Sequence, residues 1–310
     1  MKKRKIGSLD VSIVGVGCNN FGSRIDESGT RDVVDTAIDT GINFFDTADM
    51  YGGGRSEELL GKVLGRRRSQ VVIATKFGNE MPGQGSGARP DYIRQAVDAS
   101  LRRLATDHID LYQQHVPDPQ VPIADTLGAL DDLVREGKVR EIGCSNFSAA
   151  QLREARSASE EKRIARFVSV QNEYSLLNRE PEDEGVLAEC DQQGLAFLPY
   201  FPLKSGLLTG KYRKGAPIPQ NTRVAKNERY RQLLTEENLD KIEALNAFAE
   251  SRQHSLLELA FSWLLAHREV ASVIAGASSG DQVRANASAA SWDLNARDLT
   301  QIDELLRAGV

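Results

Sequence analysis

A chain of 310 residues exceeds the usual domain size, yet one α/β barrel absorbs it, and residues 1–310 read as a single domain. With 40% hydrophobic and 27% charged residues, the composition is that of a soluble globular protein with a large core. A net charge of −5 argues against nucleic acid as a partner, and the three cysteines, Cys18, Cys144 and Cys190, form neither a disulfide framework nor a metal-ligand spacing.

That cysteine usage suits a reducing compartment. No apolar signal-peptide core follows the basic N-terminus, and the longest greasy stretch, Leu256 to Ala266, is too short to span a bilayer. The expectation is a cytoplasmic protein without a membrane segment. The basic runs Lys2-Lys3-Arg4-Lys5 and Arg66-Arg67-Arg68 read as solvated ends.

Residues 2 to 14 predict a short hairpin, too small for a domain but able to plug one end of something larger. Strands and helices then alternate. Val14–Gly17 is a short buried strand, and a helix from Thr30 to Thr40 ends at Gly41. Ile42–Phe45 is the second strand, and Ser56-Glu-Glu opens the next helix with an N-cap residue and acids at its positive end. Val71–Thr75 is the third strand. A glycine-rich loop from Gly78 to Gly87 precedes a helix with Ile93, Ala96, Val97, Leu101 and Leu104 on one face.

Ile109–Gln113 is the fourth strand and runs into His115, followed by a helix from Pro122 that stops at Gly137. Val139–Gly143 is the fifth strand, with Ser148 capping the helix after it. Phe167–Val170 and Leu195–Leu198 are the sixth and seventh, with a helix over 183–193 between them. A long polar loop spans about 203–235. Two helices follow, the second (Leu256–Leu265) apolar nearly all round. Val270–Ala275 is the eighth strand, and helices near 280–290 and 298–308 finish the chain.

Eight apolar strands, each followed by a helix, predict a closed (β/α)8 TIM barrel with an N-terminal hairpin plug and extra C-terminal helices. An open doubly wound sheet is the alternative. In a barrel, residues just past the strand ends share one face, and by this count Asp46, Tyr51, Lys76 and His115 converge there.

A tyrosine phenol, with a pKa of about 10, is a reluctant proton donor at neutral pH. A neighbouring ammonium favours the phenolate and lowers that value. Lys76 fits this role if Asp46 holds it in place, and His115 fits the orientation of a phenol or substrate oxygen. Such a set suits protonation of an alkoxide as hydride arrives, and the hydride must come from a cofactor.

Further motifs extend this reading. Asn43-Phe-Phe-Asp46-Thr-Ala-Asp-Met-Tyr51-Gly52, Ala74-Thr-Lys76 and Ile109-Asp-Leu-Tyr-Gln-Gln-His115 are followed by Ser145-Asn146-Phe147 and Gln171-Asn-Glu-Tyr174. Tyr200-Phe-Pro-Leu203 and Gly206-Leu-Leu-Thr-Gly-Lys211 come next, and Ile274-Ala-Gly-Ala-Ser-Ser with Asn286 closes the series. On these residues, in this order over essentially the whole chain, the sequence resembles the aldo-keto reductase family. Within it the likeness is to bacterial members related to the branch that includes potassium-channel β-subunit-like reductases.

The resemblance implies a (β/α)8 barrel that reduces aldehyde or ketone carbonyls reversibly with NADPH, or alternatively NADH, on a small-molecule carbonyl or alcohol. It makes Tyr51 the general acid, Lys76 held by Asp46 its tuning cation, and His115 the group that orients the carbonyl. Ser145, Asn146 and Gln171 match positions that bond the nicotinamide carboxamide, and Tyr200 the aromatic on which the ring stacks. Leu203 and Ser205 match the pyrophosphate segment. Gly276, Ser278, Ser279, Gln282 and Asn286 match the segment that receives the adenosine end. The best-known branch carries a lysine and an arginine where this chain has Gly276 and Gln282, so Ser278, Ser279 and Arg284 are the expected receivers of a 2′-phosphate.

Other signals point elsewhere and are weaker. Tyr200-x-x-x-Lys204 matches a short-chain dehydrogenase spacing, but Pro202 forbids the regular helix that motif needs. Gly52-Gly-Gly reads as a sharp turn beside Tyr51 rather than a phosphate loop. The four histidines show no zinc spacing, so no metal is expected. Two other functions compete: a cofactor-binding regulatory or redox-sensing subunit with little turnover, and a Schiff-base lyase on Lys76, which leaves Ser145, Asn146 and Gln171 unexplained. The short stretch after the last helix predicts an open pocket with broad carbonyl acceptance. The modest charge is compatible with a monomer.

Overall fold

The computed structural model of the chain describes residues 1–220 and 222–307. Strands β1 (Lys3–Ile6) and β2 (Leu9–Ser12) pair antiparallel as the expected hairpin. Eight further strands follow: β3 (Val14–Gly17), β4 (Phe44–Asp46), β5 (Val72–Phe77), β6 (Ile109–Gln114), β7 (Val139–Ser145), β8 (Ser169–Glu173), β9 (Ala196–Tyr200) and β10 (Val273–Gly276). They form one parallel sheet in the order β10-β3-β4-β5-β6-β7-β8-β9. The β9 edge meets the approach to β10 through a parallel bridge between Phe197 and Val270, with Phe197 N donating to Glu269 O at 2.7 Å and Ala271 N to Phe197 O at 3.0 Å. The sheet is therefore a nearly closed (β/α)8 barrel, and the open doubly wound alternative is excluded.

Two apolar layers hold it. Between sheet and helices lies the larger core, into which the helix Leu256–Ala266 inserts Phe261, Trp263 and Leu264, all essentially without exposure. Inside the barrel, Ile6, Leu9 and Val11 of the hairpin pack with Phe44, Leu111, Leu198 and Ile274. The hairpin thus closes the end of the barrel opposite the strand C-termini. Each such fully buried aliphatic contributes about 1.5–3 kcal/mol relative to exposure.

Seven of the eight barrel strands run further toward their C-termini than the apolar pattern predicts. Asp46, Lys76, Ser145, Gln171 and Tyr200 lie within paired strands rather than beyond them, with Asp46 opposite Ala74, Lys76 opposite Gln113 and Ser145 opposite Gln171. Polar side chains break a hydropathy pattern, but they leave the backbone ladder intact where the barrel interior opens into a polar cavity.

The structure corrects several local readings. Ser56 is not a helix cap: the helix Arg55–Leu64 starts after Gly54, and the buried Ser56 hydroxyl bonds Cys18 O at 2.9 Å and Thr47 Oγ1 at 2.8 Å. Arg4 is not a solvated charge, since its guanidinium donates to the carbonyls of Leu265 (2.7 Å), His267 (3.1 Å) and Val270 (2.5 Å). It supplies donors to carbonyls that the end of a helix leaves orphaned. Arg68 likewise pairs with buried Asp110 at 2.7 Å. The predicted helix over 183–193 is broken at Gly185 into Glu180–Asp183 and Val186–Gln193, and the polar loop contains short helices at Arg223–Lys226 and Glu228–Arg231. The last helix is described over Ala296–Arg307; residues 308–310, and with them the expected short tail, lie outside the described residues.

Candidate active site

Three strand ends and one turn bring Asp46, Lys76, His115 and Tyr51 together. Lys76 has no exposure at all, and its ammonium donates to Asp46 Oδ1 (2.8 Å), Asp46 Oδ2 (2.7 Å) and Thr47 O (2.9 Å). Burial alone would drive Lys76 toward its neutral form. The Asp46 carboxylate, with Tyr51 adding to it, reverses this and leaves the lysine above its ordinary value. Asp46 Oδ1 also accepts from Gln171 Nε2 at 3.0 Å and Gln113 Nε2 at 3.3 Å. A buried ion pair is retained at low cost only when its remaining valences are filled, and here they are.

Tyr51 reaches this pair from a tight turn. Gly52, Gly53 and Gly54 adopt φ of 59°, 64° and 95°, and a Cβ on Gly54 would sit 2.7 Å from Arg103 Cδ, so glycine is required there. The Lys76 ammonium lies 5.4 Å from the Tyr51 ring centroid, and the His115 ring stands edge-on to Tyr51 at 6.0 Å. Burial holds the phenol above its ordinary pKa, Lys76 pulls it back, and Asp46 pushes it up again. The expected lowering by Lys76 is present as an opposing effect, but desolvation outweighs it. His115 is pushed down to about 3 by burial and then by Lys76, so its ring is neutral throughout the physiological range.

Asn146 joins these groups to the next ones. It adopts φ 62°, a left-handed conformation that asparagine tolerates. Its Nδ2 donates to His115 O (2.9 Å) and Ser145 Oγ (3.1 Å), and its Oδ1 accepts from Tyr200 Oη (2.8 Å). Ser145 Oγ in turn donates to Gln171 O at 2.7 Å.

One cavity of about 620 Å³ is lined by Asp46, Tyr51, His115, Ser145, Asn146, Gln171, Tyr200, Leu203, Ser205, Gly276, Ser278, Gln282 and Asn286. Lys76 lies beneath its wall. Ser279 instead caps the helix Gly280–Ser288, and Arg284 turns to Asp281 (2.8 Å) and Thr36 (3.5 Å). The cations that do line the cavity are Arg24, Lys211 and Arg223, which sequence reasoning left without a role.

Arg223 Nη2 donates to Asn20 Oδ1 at 2.9 Å, and among the described residues none of the three has an acidic partner. Burial and then Arg24 lower Arg223, while burial and then Arg223 lower Lys211. Like charges set side by side disfavour one another's charged form, which adds to the effect of burial here. A Cβ on Gly276 would come within 3.3 Å of Asn19 Oδ1 and into ordinary contact, at 3.8 Å, with Arg223 Nη2, so the guanidinium lies beside this glycine. Lys211 belongs to the Gly206–Lys211 motif; Arg223 opens a one-turn helix inside the long polar stretch, where no periodicity marks it.

The remaining histidines have structural partners. His108 bonds Asp107 at 2.6 Å, His254 stacks on Trp292 at 4.1 Å, and His267 bonds Tyr174 Oη at 3.0 Å. No helix among the described residues is long and apolar enough to cross a membrane.

A parallel barrel with a tyrosine, a buried lysine–carboxylate pair and a neutral histidine at its strand C-termini, beside a cation-lined cavity, belongs to the class of barrel oxidoreductases. The chain is a member of the aldo/keto reductase family, whose model matches residues 13–307. It is 36% identical to the uncharacterized oxidoreductase YqkF of Bacillus subtilis (strain 168), over 97% of this chain and 94% of that protein. It is 33% identical to L-glyceraldehyde 3-phosphate reductase of Escherichia coli (strain K12), over 94% and 87%. A probable voltage-gated potassium channel subunit beta of Arabidopsis thaliana is 34% identical over 92% and 90%.

Proposed function

We propose that this chain reduces aldehyde or ketone carbonyls of small molecules to alcohols, reversibly, with NADPH as the preferred cofactor. The observation that carries the reading is the fully buried Lys76–Asp46 pair set under Tyr51 and beside neutral His115, opening on one cavity. When bound, the nicotinamide supplies hydride to a carbonyl carbon or accepts it from an alcohol.

The chain's own residues handle the oxygen. His115, with one N–H on a neutral ring, donates to the carbonyl oxygen and fixes its direction without surrendering a proton. Tyr51 gives its phenolic proton to that oxygen as charge develops, and takes it back in oxidation. Lys76 stabilises the phenolate that remains, and Asp46 keeps the fully buried Lys76 charged. Tyr200 offers a half-buried ring face beside these groups, and Ser145, Asn146 and Gln171 surround it with hydrogen-bonding capacity.

The cofactor's phosphates fit the cations. Lys211, Arg223 and Arg24 line the same cavity without acidic partners among the described residues, and Ser278, Gln282 and Asn286 line it too. These cations take the place that Ser279 and Arg284 were expected to fill, and they favour NADPH over NADH.

Titration with NADPH and NADH, followed by protein fluorescence, is expected to show tighter binding of NADPH. Stopped-flow mixing of the NADPH complex with a reactive aromatic aldehyde then shows cofactor oxidation in the wild type and almost none in Tyr51→Phe, while cofactor affinity is preserved. Wild-type turnover in Tyr51→Phe would remove the tyrosine from the mechanism. A second reading, a cofactor-binding subunit with little turnover, draws on the relatives named as probable channel subunits. Tight binding without aldehyde-dependent oxidation would favour it.

A further inference from the structure

The segment after β9 has a backbone that its residues do not prefer. Phe201, Lys204 and Ser205 adopt φ of 51°, 42° and 57°, and none of them is glycine. Left-handed conformations are unfavourable for residues with a Cβ, most of all for a bulky one such as Phe201, which also precedes Pro202. Strain of this kind persists only where the surroundings over-determine it, and it clusters at ligand-binding segments. Here Phe201, Leu203, Ser205 and Gly206 line the cavity, whereas Lys204 is absent from its wall.

Two anchors hold the run. Downstream, Leu207 and Leu208 are completely buried. Within the run itself, the Lys204 side chain turns away from the cavity and pairs with Glu173 Oε1 at 2.6 Å, at the C-terminal end of β8 directly opposite Tyr200. Both side chains are largely covered, at 18% and 28% exposure, so water screens the pair less than it would at an open surface. Along the backbone, Lys204 N donates to Phe201 O (2.8 Å) and Gly206 N to Leu203 O (2.8 Å), which makes the run a compact turn rather than a loose loop.

We propose that Lys204 is a positioning residue: its ion pair with Glu173 holds the left-handed run Phe201–Ser205 in the shape that receives the dinucleotide cofactor. The inference rests on the reading of this cavity as a nicotinamide dinucleotide site. It gives Lys204 a task unrelated to the Tyr-x-x-x-Lys spacing that first drew notice. The pair fastens the segment from behind, so the cofactor meets a surface already formed and its affinity does not bear the ordering cost.

Three variants separate the ion pair from the strain it opposes. Lys204→Met removes the charge and keeps the Cβ penalty. Glu173→Gln removes the partner. Lys204→Gly removes the charge and the penalty together, because glycine accepts φ 42° freely. The expected result is an NADPH Kd raised roughly three- to fivefold in Lys204→Met and in Glu173→Gln, mostly through faster dissociation.

The double variant Lys204→Met/Glu173→Gln is expected to be no worse than either single one, and Lys204→Gly to lie close to the wild type. The aldehyde KM at saturating NADPH stays unchanged in all of them. In the protein without cofactor, amide exchange at Gly206 and Leu208 quickens in Lys204→Met and Glu173→Gln. Unchanged exchange and unchanged NADPH Kd in both single variants would overturn the proposal. A Lys204→Gly variant as weak as Lys204→Met would overturn its strain component. A wild type that binds neither NADPH nor NADH would instead defeat the cofactor reading, while the exchange comparison would still decide whether the pair holds the segment.

Discussion

Removing the Lys76 ammonium isolates a carboxylate that has nowhere to go. In Lys76→Met the buried Asp46 keeps its bonds from Gln113 Nε2 (3.3 Å) and Gln171 Nε2 (3.0 Å) but loses both contacts of its counter-ion (2.8 and 2.7 Å). Breaking a buried pair at one partner costs about 3–5 kcal/mol. With a urea slope of roughly 3 kcal/mol per M for a chain of this length, the unfolding midpoint falls by roughly 1 M or more.

Adding Asp46→Asn removes the stranded charge, keeps an acceptor for the two glutamines, and is expected to recover roughly half of the loss. The wild type carries a matching pH signature. Lys76 titrates above its unfolded value of about 10.4, so its contribution is fully present below that pH and is lost as pH rises through the higher folded value. Urea unfolding followed by tryptophan fluorescence measures all three proteins. A Lys76→Met midpoint within a few tenths of a molar of the wild type would refute the claim that this pair is a desolvated, mutually dependent unit.

Other outcomes follow from the same physics. Asp49 is buried, neither carboxylate oxygen has a hydrogen-bond partner among the described residues, and burial first, then Glu57, push its pKa up to about 7. A raised acid stabilises the fold fully below its unfolded value of about 3.9 and loses that contribution as pH rises through 7. Asp49→Asn should therefore gain stability relative to the wild type between pH 5 and pH 8, and an equal difference at both values would count against this. Arg223→Ala, which removes a cavity-lining guanidinium without an acidic partner among the described residues, is expected to weaken NADPH roughly tenfold or more and NADH much less; equal losses would move the arginine from the 2′-phosphate to the pyrophosphate. Arg4→Met strips donors from three carbonyls near the barrel seam and should cost about 1–3 kcal/mol in thermal or urea unfolding without altering aldehyde KM.

The element order, the parallel barrel and the hairpin plug were legible because apolar strands, helix stops and short connections are local signals, repeated eight times with one period. The convergence of Asp46, Tyr51, Lys76 and His115 was legible too, since strand ends of a parallel barrel share a face whatever the exact boundaries. The tertiary structure decided matters that depend on which distant groups meet. It set Tyr51 above its ordinary pKa, because desolvation depends on everything packed around the ring and not on the lysine alone. It moved Arg4 and Arg68 from solvent to carbonyl and carboxylate partners. It drew the cavity's cations from Arg24, Lys211 and Arg223, on segments without periodicity, rather than from Arg284. Hydropathy and spacing record what one segment prefers. Charge partners, burial and strain are properties of neighbours, and the chain chooses those only on folding.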